Sequence, residues 1–317
     1  HLLFTFLALT IMILLSVIKT EFIVKFTLHL FIISFILLAL VPIIGVEVKG
    51  AKRWLDFYFF RLQPIEILKP LFILAIAKIL TSEKFIDSQI KYILCFILLI
   101  SVLILLIDQP DLGQSILLTG SWVATVFISG ISLIYIFIFF SLFLIFLSSI
   151  LFFLPEKFGY VINRLITFFD PNQGDKFQSS SALDAIKQGG LTGQGMGEGI
   201  LSENVPEAHT DYVIAVISEE YGSIVSITIL IIFLFISFRI IKNCINQENK
   251  FLKISLSGLA TLLIFQTFIH AGVNTNLLPT TGMTLPFLSY GGSSLIGSAI
   301  LAGLVLNYTK NKVYLYD

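Results

Sequence analysis

The sequence predicts an all-α polytopic membrane protein of about nine transmembrane helices, with one long extracytoplasmic loop. Composition, segment length and loop charge predict it. Hydrophobic residues make up 56% of the 317 residues, and charged residues only 13%, about half the share of an ordinary soluble domain. Mean hydropathy is +0.96. A soluble protein of this size has no interior able to hide so much apolar surface, whereas lipid tolerates it. Leu, Ile and Phe fall in blocks near bilayer length, about 17–25 residues each. Inside hydrocarbon each backbone polar group must be satisfied within its own segment, so the blocks read as helices.

Nine spans follow, at about 2–18, 24–44, 64–81, 92–107, 113–130, 132–154, 211–237, 254–275 and 286–308, separated by charged or Gly/Pro-rich breaks. The first, LLFTFLALTIMILLSVI, has no basic leader and no small-residue cleavage site, so it reads as a membrane helix, not a signal peptide. The chain opens at His1 directly on this run, and the expectation is a protein that continues N-terminally. Span 64–81 carries Glu66, Lys69 and Lys78, so it should face the bundle interior. Span 113–130 is the least apolar and offers Gly113, Ser115, Gly120 and Ser121 for close helix packing.

Loop charge gives the orientation. One side receives Lys19, Lys25, Lys84, Lys91, Arg239, Lys242, Lys250, Lys253, Lys310 and Lys312; the opposite short loops hold Lys49, Lys52, Arg53 and Arg61. The first set is assigned to the cytoplasm, which puts 155–210 outside. This segment is the largest non-membrane piece of what reads as a single domain, 1–317. It is Gly-rich at 189–199 and is expected to lack strong structure of its own, with 160–169 amphipathic enough to lie along the membrane surface. No internal repeat is evident, which weighs against a transporter built from two similar halves. Net charge is +0, against a nucleic-acid binder. Cys95 and Cys244 have neither disulfide nor metal-ligand spacing.

Ionisable groups in membrane segments are costly, and each is a functional candidate. Arg53, in Lys52-Arg53-Trp54, reads equally as part of an interfacial anchor. Glu66 and Lys69 are three apart and share a helix face, where they either neutralise one another or line a polar cavity. Asp111 stands where a helix N-cap would. Glu207, His209, Thr210 and Asp211 precede a helix, and a carboxylate at the outer surface suits general-base work, although Asp211 also fits an N-cap. Glu219 and Glu220 lie deeper in that apolar helix and need partners. His29 and His270 read as packing residues. In 276–294, two prolines and Gly282 forbid a simple helix, so the backbone there is either a re-entrant turn or the lining of a cavity.

Five motifs occur in order: GVEVKGAKRWL (45–55), QPIEILK (63–69), QPDLG (109–113), PEAHTDY (206–212) with Glu219-Glu220 after it, and TLPFLSYGGSS (284–294). Together they resemble the SEDS family of peptidoglycan glycosyltransferases, the FtsW/RodA proteins, over about residues 2–308. The family has ten spans, so nine here fit if the first is absent. PEAHTD, TLPFLSYGGSS and GGLTGQGMGEG (189–199) are most similar to the FtsW division branch. The RodA elongation branch tends to differ at Ala208 and to carry proline at Thr284. The stretch DPNQGDKFQ (170–178) is shorter than in many relatives.

The resemblance implies a substrate and a site. The substrate is lipid II, a disaccharide-pentapeptide on undecaprenyl pyrophosphate, polymerised with loss of the pyrophosphate carrier. Asp211 matches the family's essential aspartate and is expected to be the general base. Arg53 and Lys69 are expected to meet the pyrophosphate. Glu66 and Asp111 would position those cations or bind a divalent cation, Mg or Mn, the only cofactor implied; no metal ligand set is assigned. Glu207, His209 and Thr210 flank the base, and Ser289 and Tyr290 shape the cavity wall. Implied partners are a class B penicillin-binding protein transpeptidase and other divisome membrane proteins, at the septum of a bacterial plasma (inner) membrane. The competing readings are a lipid II flippase, an elongation-type polymerase, and a scaffold that only recruits a partner.

Overall fold

The computed structural model describes residues 2–48, 51–58, 60–83, 87–153, 159, 164, 166–169, 177–202 and 205–310. Lys49, Lys84 and Lys312, half of the 160–169 stretch and residues 170–176 lie outside the described residues. The helices are α1 Leu2–Val17, α2 Thr20–Ile44, α3 Pro64–Leu80, α4 Ser88–Asp108, α5 Leu112–Ile128, α6 Leu133–Phe153, α7 Phe177–Gly189, α8 Val213–Tyr221, α9 Ser223–Ile245, α10 Lys250–Asn274 and α11 Gly292–Thr309. Among them α2, α4, α9, α10 and α11 are long and apolar enough to cross a bilayer; α1, α5 and part of α6 are apolar but shorter.

The bundle is organised around α3. Almost every residue from Pro64 to Ala77 is buried, and α3 packs against α2, α4, α5, α10 and α11. A helix apolar on all sides but for Glu66 and Lys69 over this buried stretch, with Lys78 near its end, belongs at the centre of a bundle, where the two buried charges can be paired. Conversely, α9 shows Ile227, Ile231, Phe235 and Phe238 to the outside, the surface lipid would cover. Small residues set the closest approaches. A Cβ on Gly120 of α5 would lie 2.7 Å from the Phe265 ring, and one on Gly258 of α10 would lie 2.4 Å from Ile73 Cγ2.

Four expectations need correction. The 211–237 span is two helices, because Gly222 stands at φ +87 and ends α8 before α9 begins. The 155–210 loop carries a helix of its own, α7, packed on α8. The 45–62 loop is a three-stranded antiparallel sheet, β1 Val46–Val48, β2 Ala51–Asp56 and β3 Arg61–Leu62, with Val46 opposite Trp54 and Asp56 opposite Arg61. The last span also starts later than expected, at Gly292, because Pro286 and the extended Gly291 hold the chain irregular before it.

The ends of the bundle have different jobs. At one end Asn307 donates to the Leu15 and Ile18 carbonyls and Lys310 to Ile18, tying the α1–α2 turn to the end of α11. At the other end the β-sheet, the α4–α5 junction, the 205–212 turn and the 276–291 segment converge. Between them, Gly297 of α11 leaves no room for a side chain. Its Cβ would lie 2.4 Å from the Glu66 carbonyl oxygen, a backbone atom that cannot swing away. Gly297→Ala should cost about 1–3 kcal/mol, read as a lower melting temperature in detergent.

Candidate active site

The deepest layer is an ion pair in the first turns of α3. Lys69 Nζ sits 2.9 Å from Glu66 Oε2, and both side chains are 3% exposed. Removing two charges from water is costly unless further hydrogen bonds complete their shells. Here Gln114 Nε2 donates to Glu66 Oε1 at 2.8 Å, and Lys69 Nζ donates to Gln266 Oε1 at 3.3 Å. Lys69 and Glu66 border a cleft between α3, α10 and α11, whose other walls include Leu262, Leu263, Phe287 and Leu301.

The next layer joins the sheet to α5. Asp111 caps α5 as expected, accepting from Gln114 N at 3.3 Å. It also lies 3.9 Å from Arg53 Nε and 3.5 Å from Gln63 Nε2. Arg53 points inward from β2, its Nε donating to the Gln109 carbonyl at 3.1 Å and its Nη2 to the Pro110 carbonyl. The interfacial-anchor reading therefore fails for Arg53: its side chain is 14% exposed and committed to the α4–α5 junction. Gln114 links the two layers, touching Asp111 through its N–H and Glu66 through its side chain.

The outermost layer holds Asp211, half-buried just ahead of α8. The 207–212 turn is wound tightly: the Glu207 carbonyl accepts from the N–H groups of Thr210, Asp211 and Tyr212. Thr210 Oγ1 donates to Glu207 Oε2 at 2.9 Å. Ser289, buried, donates to the Thr210 carbonyl at 2.5 Å and accepts from Leu285 N at 2.7 Å, while Tyr290 N donates to the His209 carbonyl at 2.8 Å. These bonds stitch the 206–212 and 284–294 motifs together. The side chains of His209 and Tyr290 themselves are exposed.

Gly282 is where the layers meet. It stands at φ +68, and an ideal Cβ on it would lie 3.4 Å from Asp211 Oδ2 and 3.9 Å from Arg53 Nη1. Carboxylate and guanidinium thus both lie beside one point of the backbone, where the positive φ favours glycine. Two residues absent from the expected set frame it. Arg164 Nη1 donates to the Thr280 carbonyl at 2.9 Å. Burial, and then the nearby Asp211 carboxylate, push the Tyr212 phenol up to about 12, with Arg164 opposing. Arg164 and the bridging Gln63, Gln109, Gln114 and Gln266 carried no signal beyond being polar residues near apolar runs.

A family model described as "Cell cycle protein", for the FtsW, RodA and SpoVE proteins, matches residues 1–314. The chain belongs to the FtsW/RodA/SpoVE family. A probable peptidoglycan glycosyltransferase FtsW of Caulobacter vibrioides is 36% identical over 265 residues, 84% of this chain and 67% of that protein. Its counterpart in Aliivibrio salmonicida is 34% identical over 325 residues, 99% of this chain and 80% of that protein. Among solved structures, one described as the structural coordination of polymerization and crosslinking by a peptidoglycan synthase complex matches with TM-score 0.79 and 28% identity, covering 97% of this chain and 87% of that one. The crystal structure of the rod shape determining protein RodA of Thermus thermophilus matches with TM-score 0.70 and 27% identity, covering 97% and 85%.

In this FtsW/RodA/SpoVE chain, Glu219 and Glu220 bind backbone. Glu219, fully buried, accepts from the N–H groups of Ile200, Leu201 and Ser202 at 2.7–3.0 Å, and Glu220 accepts from Gly197. They clamp residues 197–202, at the end of the glycine-rich stretch, to α8. Burial alone would raise the Glu219 carboxyl, but the Ser202 hydroxyl and the three N–H groups outweigh it and hold it below the usual carboxylate range. His270 is buried with Nδ1 at 2.7 Å from the Met283 carbonyl, so it shapes the 276–291 segment besides packing. His29 is exposed against Phe26, not packed in the bundle. The divalent-cation reading does not fit Glu66 and Asp111. Both Glu66 oxygens and the Asp111 carboxylate are already engaged by Lys69, Gln114, Arg53 and Gln63. Nor do three His, Cys, Asp or Glu side chains gather as a metal set among the described residues.

Lys69→Met should destabilise the protein by about 3–5 kcal/mol, because it strands a buried carboxylate, and Glu66→Gln added to it should recover most of that loss. Unfolding in mild detergent measures both. Glu219→Gln should melt below wild type at neutral pH. Its depressed carboxyl gives stability that is complete above the unfolded value and lost as pH falls through the folded one, so acidification should close the gap.

Proposed function

We propose that this chain is a peptidoglycan glycosyltransferase that polymerises lipid II into glycan strands for the septal wall of a dividing bacterium. The observation that carries the reading is the meeting of Asp211 and Arg53 over Gly282, linked through Asp111 and Gln114 to the buried pair of Glu66 and Lys69. Glycosyl transfer needs a base at the acceptor hydroxyl and positive charge at the departing pyrophosphate. Asp211 takes the proton from the acceptor sugar's 4-hydroxyl. The oxygen then bonds to the donor's anomeric carbon as the bond from that carbon to the pyrophosphate oxygen breaks. The electron pair leaves with undecaprenyl pyrophosphate, and an α-linked donor becomes a β-linked chain.

Arg53 offers its remaining Nη1 donor to the leaving group. Lys69, held by Glu66 and Gln266, supplies positive potential from below in a low-dielectric wall, where a fixed charge acts most strongly. Ser289 and Thr210 hold the wall behind Asp211, while Glu207 orders the turn through Thr210.

The whole chain, 1–317, acts as one transmembrane catalytic unit in the bacterial plasma membrane, at the septum. Its fold matches a protein from a complex described as coordinating polymerization and crosslinking. That supports a class B penicillin-binding protein transpeptidase as partner, with other divisome membrane proteins around the pair. The similarity to FtsW relatives at 33–36% identity supports the division branch over the elongation branch.

Asp211→Asn, co-purified with the cognate transpeptidase, should lose about 10²–10⁴-fold in glycan polymerisation from purified lipid II while staying folded. Wild-type rates in that variant would remove Asp211 from the role. Lipid II crossing vesicles without any glycan would turn the reading to a flippase.

A further inference from the structure

We propose that Asn274 is a positioning residue: one buried carboxamide hangs the Asp211 peptide from the outer end of α10 and so sets the carboxylate over Gly282. The proposal rests on Asp211 being the base. Asn274 is fully buried, and both ends of its amide are used. Oδ1 accepts from Ala215 N at 3.1 Å; Nδ2 donates to the Asp211 carbonyl at 3.0 Å and to the His270 carbonyl at 2.8 Å. The flipped amide would face an N–H with an N–H and two carbonyls with an oxygen, so these partners dictate its orientation.

Its position explains why the job falls to another helix. Ala215 N, in the first turn of α8, donates to the Tyr212 carbonyl at 2.9 Å and shares that N–H with Asn274 Oδ1, which stands where an N-cap side chain would otherwise accept. Tyr212 occupies that cap and makes no side-chain capping bond. Asn274 caps α8 in its place, and the same amide holds the carbonyl of the residue before the cap, Asp211. The Asp211 carboxylate is thereby spared the capping role and turns toward Gly282.

Asn274 also belongs to a series. Gln266, His270 and Asn274 are four apart, on one face of α10. Gln266 Nε2 donates to the Thr284 carbonyl at 2.9 Å, and His270 Nδ1 meets the Met283 carbonyl at 2.7 Å. One helix edge therefore holds both sides of the slot: the 283–284 backbone that carries Gly282, and the Asp211 peptide opposite. Releasing the last of these bonds lets the carboxylate drift relative to Arg53, and a displacement of about 1 Å at a reacting group can cost 10²-fold.

The test uses the full chain co-purified with its transpeptidase, on lipid II, with steady-state rates across pH. Asn274→Ala removes all three bonds. Asn274→Asp keeps the acceptor for Ala215 N but loses both donors and adds a carboxylate beside Asp211. Both variants are expected to lose about 10²-fold in kcat with KM for lipid II within a few-fold of wild type. In Asn274→Asp the acid limb of the pH–rate profile should also move up, because a second negative charge makes Asp211 harder to ionise. If Asn274→Ala does not fold, Asn274→Asp, with its cap intact, carries the test. Wild-type kcat in folded variants, a loss confined to KM, or a loss that only tracks the amount of folded protein would overturn the proposal. Asp211→Asn, run in parallel, separates the two readings. If it keeps wild-type kcat, the base assignment fails by itself. If Asn274→Ala still loses kcat on that background, Asn274 does not act through Asp211.

Discussion

The buried pair of Glu66 and Lys69 is the interaction on which the rest of this structure depends. A carboxylate and an ammonium enclosed by helices, with lipid beyond, cannot borrow water to complete their shells. Each must be answered by a side chain from a neighbour, and the neighbours are thereby fixed. Gln114 commits α5 to α3, and Gln266 commits α10 to α3. Gly297 lets α11 close against the Glu66 carbonyl. The helices that wall the site are the same ones the ion pair recruits, so its cost in desolvation is also what gives the bundle a single arrangement.

From that pair a chain of polar contacts climbs to the outer end. Gln114 reaches Asp111, Asp111 faces Arg53, and Arg53 reaches toward Asp211 across Gly282. Segments of irregular backbone make this possible. The 207–212 turn and the 284–294 segment bond to each other, and side chains on the polar face of α10 anchor both. Non-helical backbone at such a depth survives only where protein satisfies it. The irregularity in turn frees the groups at Gly282 from helical geometry. The 197–202 stretch is handled in the same way: the Glu219 and Glu220 carboxylates of α8 replace the water that its N–H groups would otherwise need.

Much of this was legible in the sequence. The apolar blocks located the spans because lipid demands long helices, and the charges of α3 marked it as interior. Asp111 announced itself as a cap by standing directly before a helix. What could not be read is equally physical. Gly222 and its reversal of φ looked like one more glycine in an apolar run, so α8 and α9 read as one span. The β-sheet of 46–62 is held by pairing between strands, a non-local property that short segments do not advertise. Arg53 was ambiguous, since an interfacial anchor and an inward-turned guanidinium have the same local sequence.

By itself the sequence determined the solvent, the secondary structure of most of the chain, the interior place of α3, and the motifs that align it with its family. These depend on composition and on neighbours within a few turns. Only the tertiary structure decided which polar groups meet. Asn274 and Asp211 are 63 positions apart, and Gly282 is flanked by residues from β2 and from the turn before α8. No local pattern encodes such meetings, because they arise when buried polar atoms on different segments have only each other to satisfy them.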